Sequence, residues 1–329
     1  MKRLLLLTLS FFTTTFSSAQ IFDDLEKILA ATTDDANILF DAYTSPLGES
    51  FTYSLNTGWA SSAKTHKKLG FDLTIGVTSP NVSDAAKSFK ISELNLAKLT
   101  STSATANTLF GPKGSTDFTY TIPNTSISQT VTLPGGLEDD LVMNSLPVPY
   151  IQAGVGLFFD TDVTVRYLPK VDAQGSSVDL IGIGLKHNLM QYLGIIDKLP
   201  LNVAVLGSFT KLNIEYALNS AKPDQKISGS VDTFMVQALG SLDFPIISVV
   251  GGIGYGKGDV SFAMLGDYSV GLLDGSTKTL SDPLKSEQAY TGTHALVGLR
   301  ANLLFLKIFA NYTIQEFNTL NAGISFSFR

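Results

Sequence analysis

The residues with the most obvious chemical potential are a glycine run ending in lysine, three histidines and a triplet of acids. Gly251-Gly252-Ile253-Gly254-Tyr255-Gly256-Lys257-Gly258 carries the spacing G-x-x-x-x-G-K, which in a Walker loop wraps backbone N–H groups around phosphates and offers them the lysine. The next residue is Gly258, where such a loop needs a hydroxyl for magnesium. The run also sits inside an alternating strand pattern with no helix signal after it. Glycines so spaced on a strand serve a bend or close packing. His66, His187 and His294 share no metal-ligand spacing, and many serines beside three histidines define no particular Ser-His-Asp set. Glu138-Asp139-Asp140 is a candidate for a divalent cation, set against the ordinary reading of a solvated loop. With no cysteine there is no disulfide, thiolate metal site or cysteine nucleophile. The expectation is a chain with no cofactor and no catalytic residues.

Composition fixes the elements that must carry any site. The chain has 329 residues, 44% hydrophobic but only 16% charged, against roughly 25% charged in soluble domains. It is neither disordered nor, at a net charge of -6, built to grip nucleic acid. Met1, Lys2 and Arg3, an apolar stretch from Leu4 to Phe16, and Ser17-Ser18-Ala19 read as a signal peptide, cleaved before Gln20. The longest later apolar window, Leu141 to Phe159, contains Pro147 and Pro149 and does not read as a spanning helix. Only helices and closed barrels satisfy every backbone N–H and C=O in lipid, so side-chain alternation decides between a soluble secreted β-domain and a membrane barrel.

Alternation is clearest at the C-terminus. Leu320, Ala322, Ile324, Phe326 and Phe328 share one parity, while Asn321, Gly323, Ser325, Ser327 and Arg329 share the other. Segments 293–303 and 304–314 repeat the pattern, as do 51–60, 69–78, 151–159, 163–167, 179–187, 201–218, 231–242 and 246–256; less regular candidates lie at 89–97, 116–122 and 126–133. The predicted fold is all-β, a transmembrane antiparallel β-barrel of about fourteen strands, with a bulge near Thr210 and Lys211 where parity switches. If the last strand ends in the periplasm, the connections 159–161, 241–245 and 301–304 are short and inside; Asn188 to Pro200 is the one long inward exception, with room for a helical turn at the interface. Those at 134–147, 168–177, 219–228 and 266–288 are long and outside, as outer-membrane barrels require. The polar parity is rich in Gly, Ser, Thr and Asn with sparse charge, unlike the solvent face of a sandwich. Aromatics near strand ends, such as Phe51, Trp59, Tyr150, Tyr167, Tyr255 and Tyr312, suit interfacial girdles.

Ahead of the strands, Ile21, Phe22, Leu25, Ile28 and Leu29 recur at helical spacing. Thr33 and Asp34 cap a second helix ended near Pro46 and Gly48. Residues 20–47 therefore form a lumenal plug or a periplasmic flap, before a barrel over 48–329. On the stretches Ser50-Phe51 to Trp59, Gly70-Phe71-Asp72-Leu73-Thr74 and Gly182-Ile183-Gly184-Leu185-Lys186-His187, the chain resembles a family of uncharacterised Gram-negative outer-membrane β-barrels. Its layout is similar to that of the long-chain fatty acid transporters, although the Asn-Pro-Ala signature of their hatch is missing. The resemblance implies residence in the outer membrane of a Gram-negative bacterium, among its lipids. A barrel-insertion machinery would engage the C-terminal strand.

By parity, Asp72, Gln152, Arg166, His294, Arg300, Lys307 and Asn311 point into the lumen and line or bind what passes, with Arg300 and Lys307 forming a basic patch for anions; pairing to inward acids or anchoring of the plug is the competing role. Two functions follow: a passive channel or transporter for a small solute, amphipathic or anionic, and a plugged barrel with a surface-binding or envelope-structural role.

Overall fold

The computed structural model describes residues 28–29, 31–121, 126–141, 144–173, 175–193, 200–219, 222–271 and 277–328. The expected signal peptide and most of the first expected helix lie outside these residues. Ten strands close into an antiparallel barrel: β1 (Phe71–Pro80), β2 (Val148–Gly156), β3 (Thr161–Ala173), β4 (Ser176–Asn188), β5 (Leu201–Asn219), β6 (Lys222–Asp243), β7 (Ile247–Leu265), β8 (Leu284–Leu303), β9 (Leu306–Ile314) and β10 (Thr319–Phe328). Each pairs with its sequence neighbours, and β1 pairs with both β2 and β10, so the described wall has no free long edge at its base. Helix α1 (Thr33–Asn56) runs inside.

Ten strands replace the expected fourteen, and four segments account for the difference. Phe51, Tyr53 and Leu55 belong to the last turns of α1, not to a first strand. The segments near 89–97, 116–122 and 126–133 fall in the long β1–β2 connection. There they make two small sheets outside the barrel, Ser88–Lys90 with Thr105–Asn107, and Thr116–Thr121 between Leu99–Thr100 and Ser128–Leu133. Their alternation is genuine, but Phe118, Val131 and Leu133 bury their apolar side against other protein rather than lipid.

The expected bulge near Thr210 and Lys211 is also absent. The ladders of β5 with β4 and β6 run unbroken through both residues, and the register shifts only between Ala217 and Asn219. What changes there is the environment. Outward positions of β6 read Phe234, Val236, Ala238, Gly240 and Leu242, then Asp232, Ser230, Ser228 and Lys226 above them. Those of β7 read Ile247, Val249, Gly251, Ile253 and Tyr255, then Lys257 and Asp259. Nine residues at about 3.4 Å rise, tilted about 40°, give an apolar band roughly 20 Å high, close to the ~25 Å of outer-membrane barrels. Above Phe209 the outward side becomes polar and the inward side, with Leu212 and Ile214, becomes apolar against the interior. The apolar face thus moves from the outside of the wall to its core side with no change of register.

That upper collar explains a second difference. Stretches 168–177 and 219–228, expected as loops, largely continue β3 to β6 as paired strands. Cross-strand ion pairs support them: Lys170 to Glu215 at 3.1 Å, Lys226 to Glu215 at 2.6 Å and Lys211 to Asp232 at 3.5 Å. At the opposite end three connections are tight and the fourth, 189–200, is longer and opens on the short helix Met190–Leu193; together they carry exposed apolar residues, including Phe158, Phe159, Tyr192, Phe244, Ile246, Leu304 and Phe305.

Candidate functional site

Helix α1 fills the barrel, and the wall is shaped to receive it. Pro46 does not end the helix, which continues ten residues further, because packing outweighs one lost backbone bond. In the surrounding turns, the Thr44 and Thr52 hydroxyls donate to the carbonyls of Phe40 and Gly48, and the Tyr290 hydroxyl donates to that of Ser45 at 2.7 Å. Gly48, Thr52 and Asn56, one turn apart, lie along β7. A Cβ on Gly48 would come within 3.0 Å of Val260, one on Gly258 within 2.2 Å of the Thr52 hydroxyl, and one on Gly256 within 2.7 Å of the Asn56 amide. Gly256 and Gly258, at the end of the Walker-like run, are therefore a flat bed for a helix.

The helix ends on Gly58 in the left-handed region, φ 82°, the usual terminator. Space is short there too, since a Cβ would sit 2.8 Å from both the Asn321 amide and the Tyr150 hydroxyl. Trp59 then packs on Gly182 and Gly184, whose Cβ atoms would stand 3.0 and 2.7 Å from its ring. Trp59 and Tyr150 sandwich the Arg166 guanidinium, each ring centroid 4.2 Å away. Arg166 is 1% exposed. It donates to the Leu55 carbonyl at 3.3 Å, the Thr57 carbonyl at 3.1 Å and the Gln152 side-chain oxygen at 3.1 Å. A cation on the last carbonyls of a helix is favourable for the dipole as well as for the orphan acceptors.

The other end of α1 is held by the opposite charge. Asp35 is fully buried and accepts three backbone N–H bonds, from Ala97 at 2.9 Å, Lys98 at 2.7 Å and Leu99 at 2.8 Å. Tyr43 adds two more ties to the β1–β2 connection, donating to the Gly135 carbonyl and accepting the Leu109 N–H at its own. Leu39, Phe40 and Tyr43 join Leu99, Phe110, Phe118, Val131 and Leu133 in one apolar cluster over the wide end of the barrel. Every strand contributes at least one buried inward residue: Thr74, Gln152, Arg166, Leu180, Leu206, Met235, Val250, His294, Asn311 and Asn321.

Below the helix terminus the interior opens. A cavity of about 500 Å3 lies at the short-turn end, roofed by Gly58 and Trp59 and crossed by residues 60–67. Its wall carries five cationic side chains, Lys64, Lys67, Lys186, Arg300 and Lys307, and three carboxylates, Asp72, Asp162 and Asp243. Asp162 accepts from the His66 backbone N–H at 2.9 Å and pairs with Lys186 at 3.1 Å. Asp243 pairs with Arg300 at 2.9 Å and accepts from Ser62 and Asn202. Asp72 accepts from Thr74 and Ser325.

All seven residues expected in the lumen face inward, but they divide in two. Asp72, Gln152, Arg300 and Lys307 line the cavity. Arg166, His294 and Asn311 are buried between wall and plug; His294 meets Gln237 at 3.0 Å and Asn311 donates to the Ala60 carbonyl. Asp35, Trp59, Lys64 and Lys186 are the site residues that parity missed. Asp35 lies in the first turn of α1, where strand parity does not apply; Trp59 follows a helix that the sequence does not end where the molecule ends it, and Lys186 was visible only as part of a motif. The three histidines are not brought together: His66 is on Asp162, His187 on Thr161 and Tyr192, and His294 inside. Nor do the acids of 138–140 converge, since Glu138 is held by Lys87 and Asp140 by Lys113.

Fold and site together define an all-β chain closed into a ten-stranded antiparallel barrel with an internal helix. The chain belongs to a family of unknown function, DUF6588, whose model matches residues 1–328. A comparison with curated proteins finds no match. Among solved structures it is similar to Ail of Yersinia pestis, at 11% identity and TM-score 0.28 over 80% of this chain and 100% of that one. It is also similar to the translocator domain of the autotransporter NalP of Neisseria meningitidis, at 11% identity and TM-score 0.33 over 80% and 90%. A BenF-like porin of Pseudomonas fluorescens matches at 9% identity and TM-score 0.14 over 79% and 98%. The likeness to fatty acid transporters rested on about fourteen strands and does not survive a count of ten.

Proposed function

We propose that this chain is a Gram-negative outer-membrane barrel, shut at rest by helix α1, that passes a small solute when the helix is displaced. The supporting observation is helix α1 packed inside the wall, with at least one buried inward residue on every strand, which makes an open passive pore the weaker reading. Displacement rather than permanent closure is favoured by the seam between helix and wall. Side-chain oxygens of Ser54, Asn56, Ser208, Thr210 and Thr233 lie there without a hydrogen-bond partner among the described residues. An unmet buried polar group costs about 1–3 kcal/mol, so water entering the seam lowers the cost of moving the helix. In this reading the apolar band contacts lipid and the short turns with their exposed aromatic residues face the periplasm, supported by the short-turn, long-loop asymmetry of outer-membrane barrels. Insertion would use the C-terminal strand. The reading needs no cofactor and no bond chemistry.

Planar bilayers provide the test. The intact protein is silent or opens rarely, while a variant lacking residues 20–56 conducts steadily. A deletion variant that keeps a heat-modifiable barrel on gels yet stays silent overturns the gate, and leaves the surface-binding or structural role of the outer segment.

A further inference from the structure

We propose that the cavity beneath the plug is a binding site for a small hydrophilic organic anion, a carboxylate or phosphate ester, with Lys307 as its principal charge partner. The inference deepens the reading of a gated barrel and rests on it for access from the short-turn side. Its first support is a charge inventory. The three lining carboxylates are all occupied by Lys186, Arg300, His66 and hydroxyl donors. Lys307 and Lys64 form no ion pair among the described residues, though both line the cavity. Five cations against three anions leave a positive surplus in a chain whose net charge is -6. Such a surplus in a cleft with low-dielectric walls concentrates counter-ions.

The second support is the remaining lining. Ser61, Thr65, Thr164, Ser325 and Ser327 give a hydroxyl-rich surface beside the rings of Trp59, Phe244 and Phe309, which suits a polyol or sugar-like body with one apolar face better than a long alkyl tail. A volume of about 500 Å3 falls within the roughly 300–1,000 Å3 of small-molecule sites. The amphipathic solute expected from sequence is therefore replaced by a hydrophilic one.

Trp59 roofs the cavity and is the only tryptophan of the chain, so its fluorescence reports occupancy. The full chain in zwitterionic detergent is titrated with gluconate, glycerol 3-phosphate, octanoate and choline, and the same titrations are repeated by calorimetry. Gluconate or glycerol 3-phosphate should give a saturable response, octanoate a weaker one and choline none. Lys307→Gln should weaken binding about tenfold, the loss of one charge-assisted hydrogen bond, and the exposed Lys64→Gln by less. Silence of both anions in both measurements, an equal response to choline, or unchanged affinity in a folded Lys307→Gln protein overturns the site. Because binding is read without bilayers, saturable binding by a chain whose plug deletion stays silent sinks the gate and keeps the site.

Discussion

The two ends of helix α1 meet opposite surroundings. At the wide end its first turns are embedded in an apolar cluster with the β1–β2 connection, and the one buried charge, Asp35, has three backbone donors. At the short-turn end it finishes over a polar cavity with a surplus of cationic side chains, tied by Arg166 to two carbonyls. The outer end is a folded core and the inner end is a mouth. Entry from the short-turn end reaches charged and hydroxyl groups at once, whereas entry from the other end must first open a hydrophobic contact.

Breaking the outer seal should have the largest effect. Asp35→Ala orphans three backbone N–H groups, at a cost of about 3–5 kcal/mol on the usual scale for unmet buried donors. Hydrogen exchange at residues 97–99 should rise sharply while the response of Trp59 to anions is retained. Loss of that response as well would show that the two ends are not independent. Next is steric expulsion. Gly258→Val places a methyl where the Thr52 hydroxyl sits, an overpacking cost of about 2–3 kcal/mol, and is expected to give bilayer openings. Gly240→Val is the control, since a Cβ there meets nothing within 4 Å and should leave the protein silent.

Arg166→Gln attacks the inner tie, removing two carbonyl bonds and two ring contacts, about 2 kcal/mol in all. Trp59 emission should shift to the red. Arg166→Lys should not restore it, because an ammonium cannot be planar between two rings.

The smallest effect concerns pH. Lys87 bonds Asp84 and Glu138 in the outer connection. The bond to the Lys87 ammonium holds the Asp84 carboxyl below its ordinary value, while Asp84 and then Glu138 push Lys87 up. A depressed carboxyl contributes stability above its unfolded value and loses it as pH falls through the folded one. Exchange around residues 84–88 should therefore increase only when pH drops below about 4. Lys87 runs the other way, its contribution being lost in strong alkali.

Much of the wall was legible because one apolar rule governs the outward positions of its lower part, and period-two patterning records it directly. The last two strands, 306–328, appear where alternation placed them, while the strand before them starts at Leu284, nine residues ahead of the expected 293 and inside a stretch expected as an outer loop. The plug was harder. Residues 50–56 of α1 are buried on all sides, so they carry no 3.6-residue apolar stripe, and Phe51, Tyr53 and Leu55 happen to alternate. A helix enclosed by protein loses the amphipathic signal that a surface helix displays. The same physics misled at 116–133, where alternation records a core rather than a bilayer. Arg166 was legible as an inward side chain, but its partners depend on where the helix stops, which Pro46 and Gly48 obscured.

Seating of the helix on β7 is the central claim, and the cysteine-free chain allows it to be tested by one covalent bond. A Cβ on Gly256 would lie 3.7 Å from that of Asn56, close to the ~3.8 Å typical of a disulfide. The double variant Asn56→Cys with Gly256→Cys should oxidise in folded protein to an internal disulfide, lowering the mass by two hydrogens and silencing any openings until it is reduced. Two free thiols that resist oxidation in a folded barrel would contradict the account.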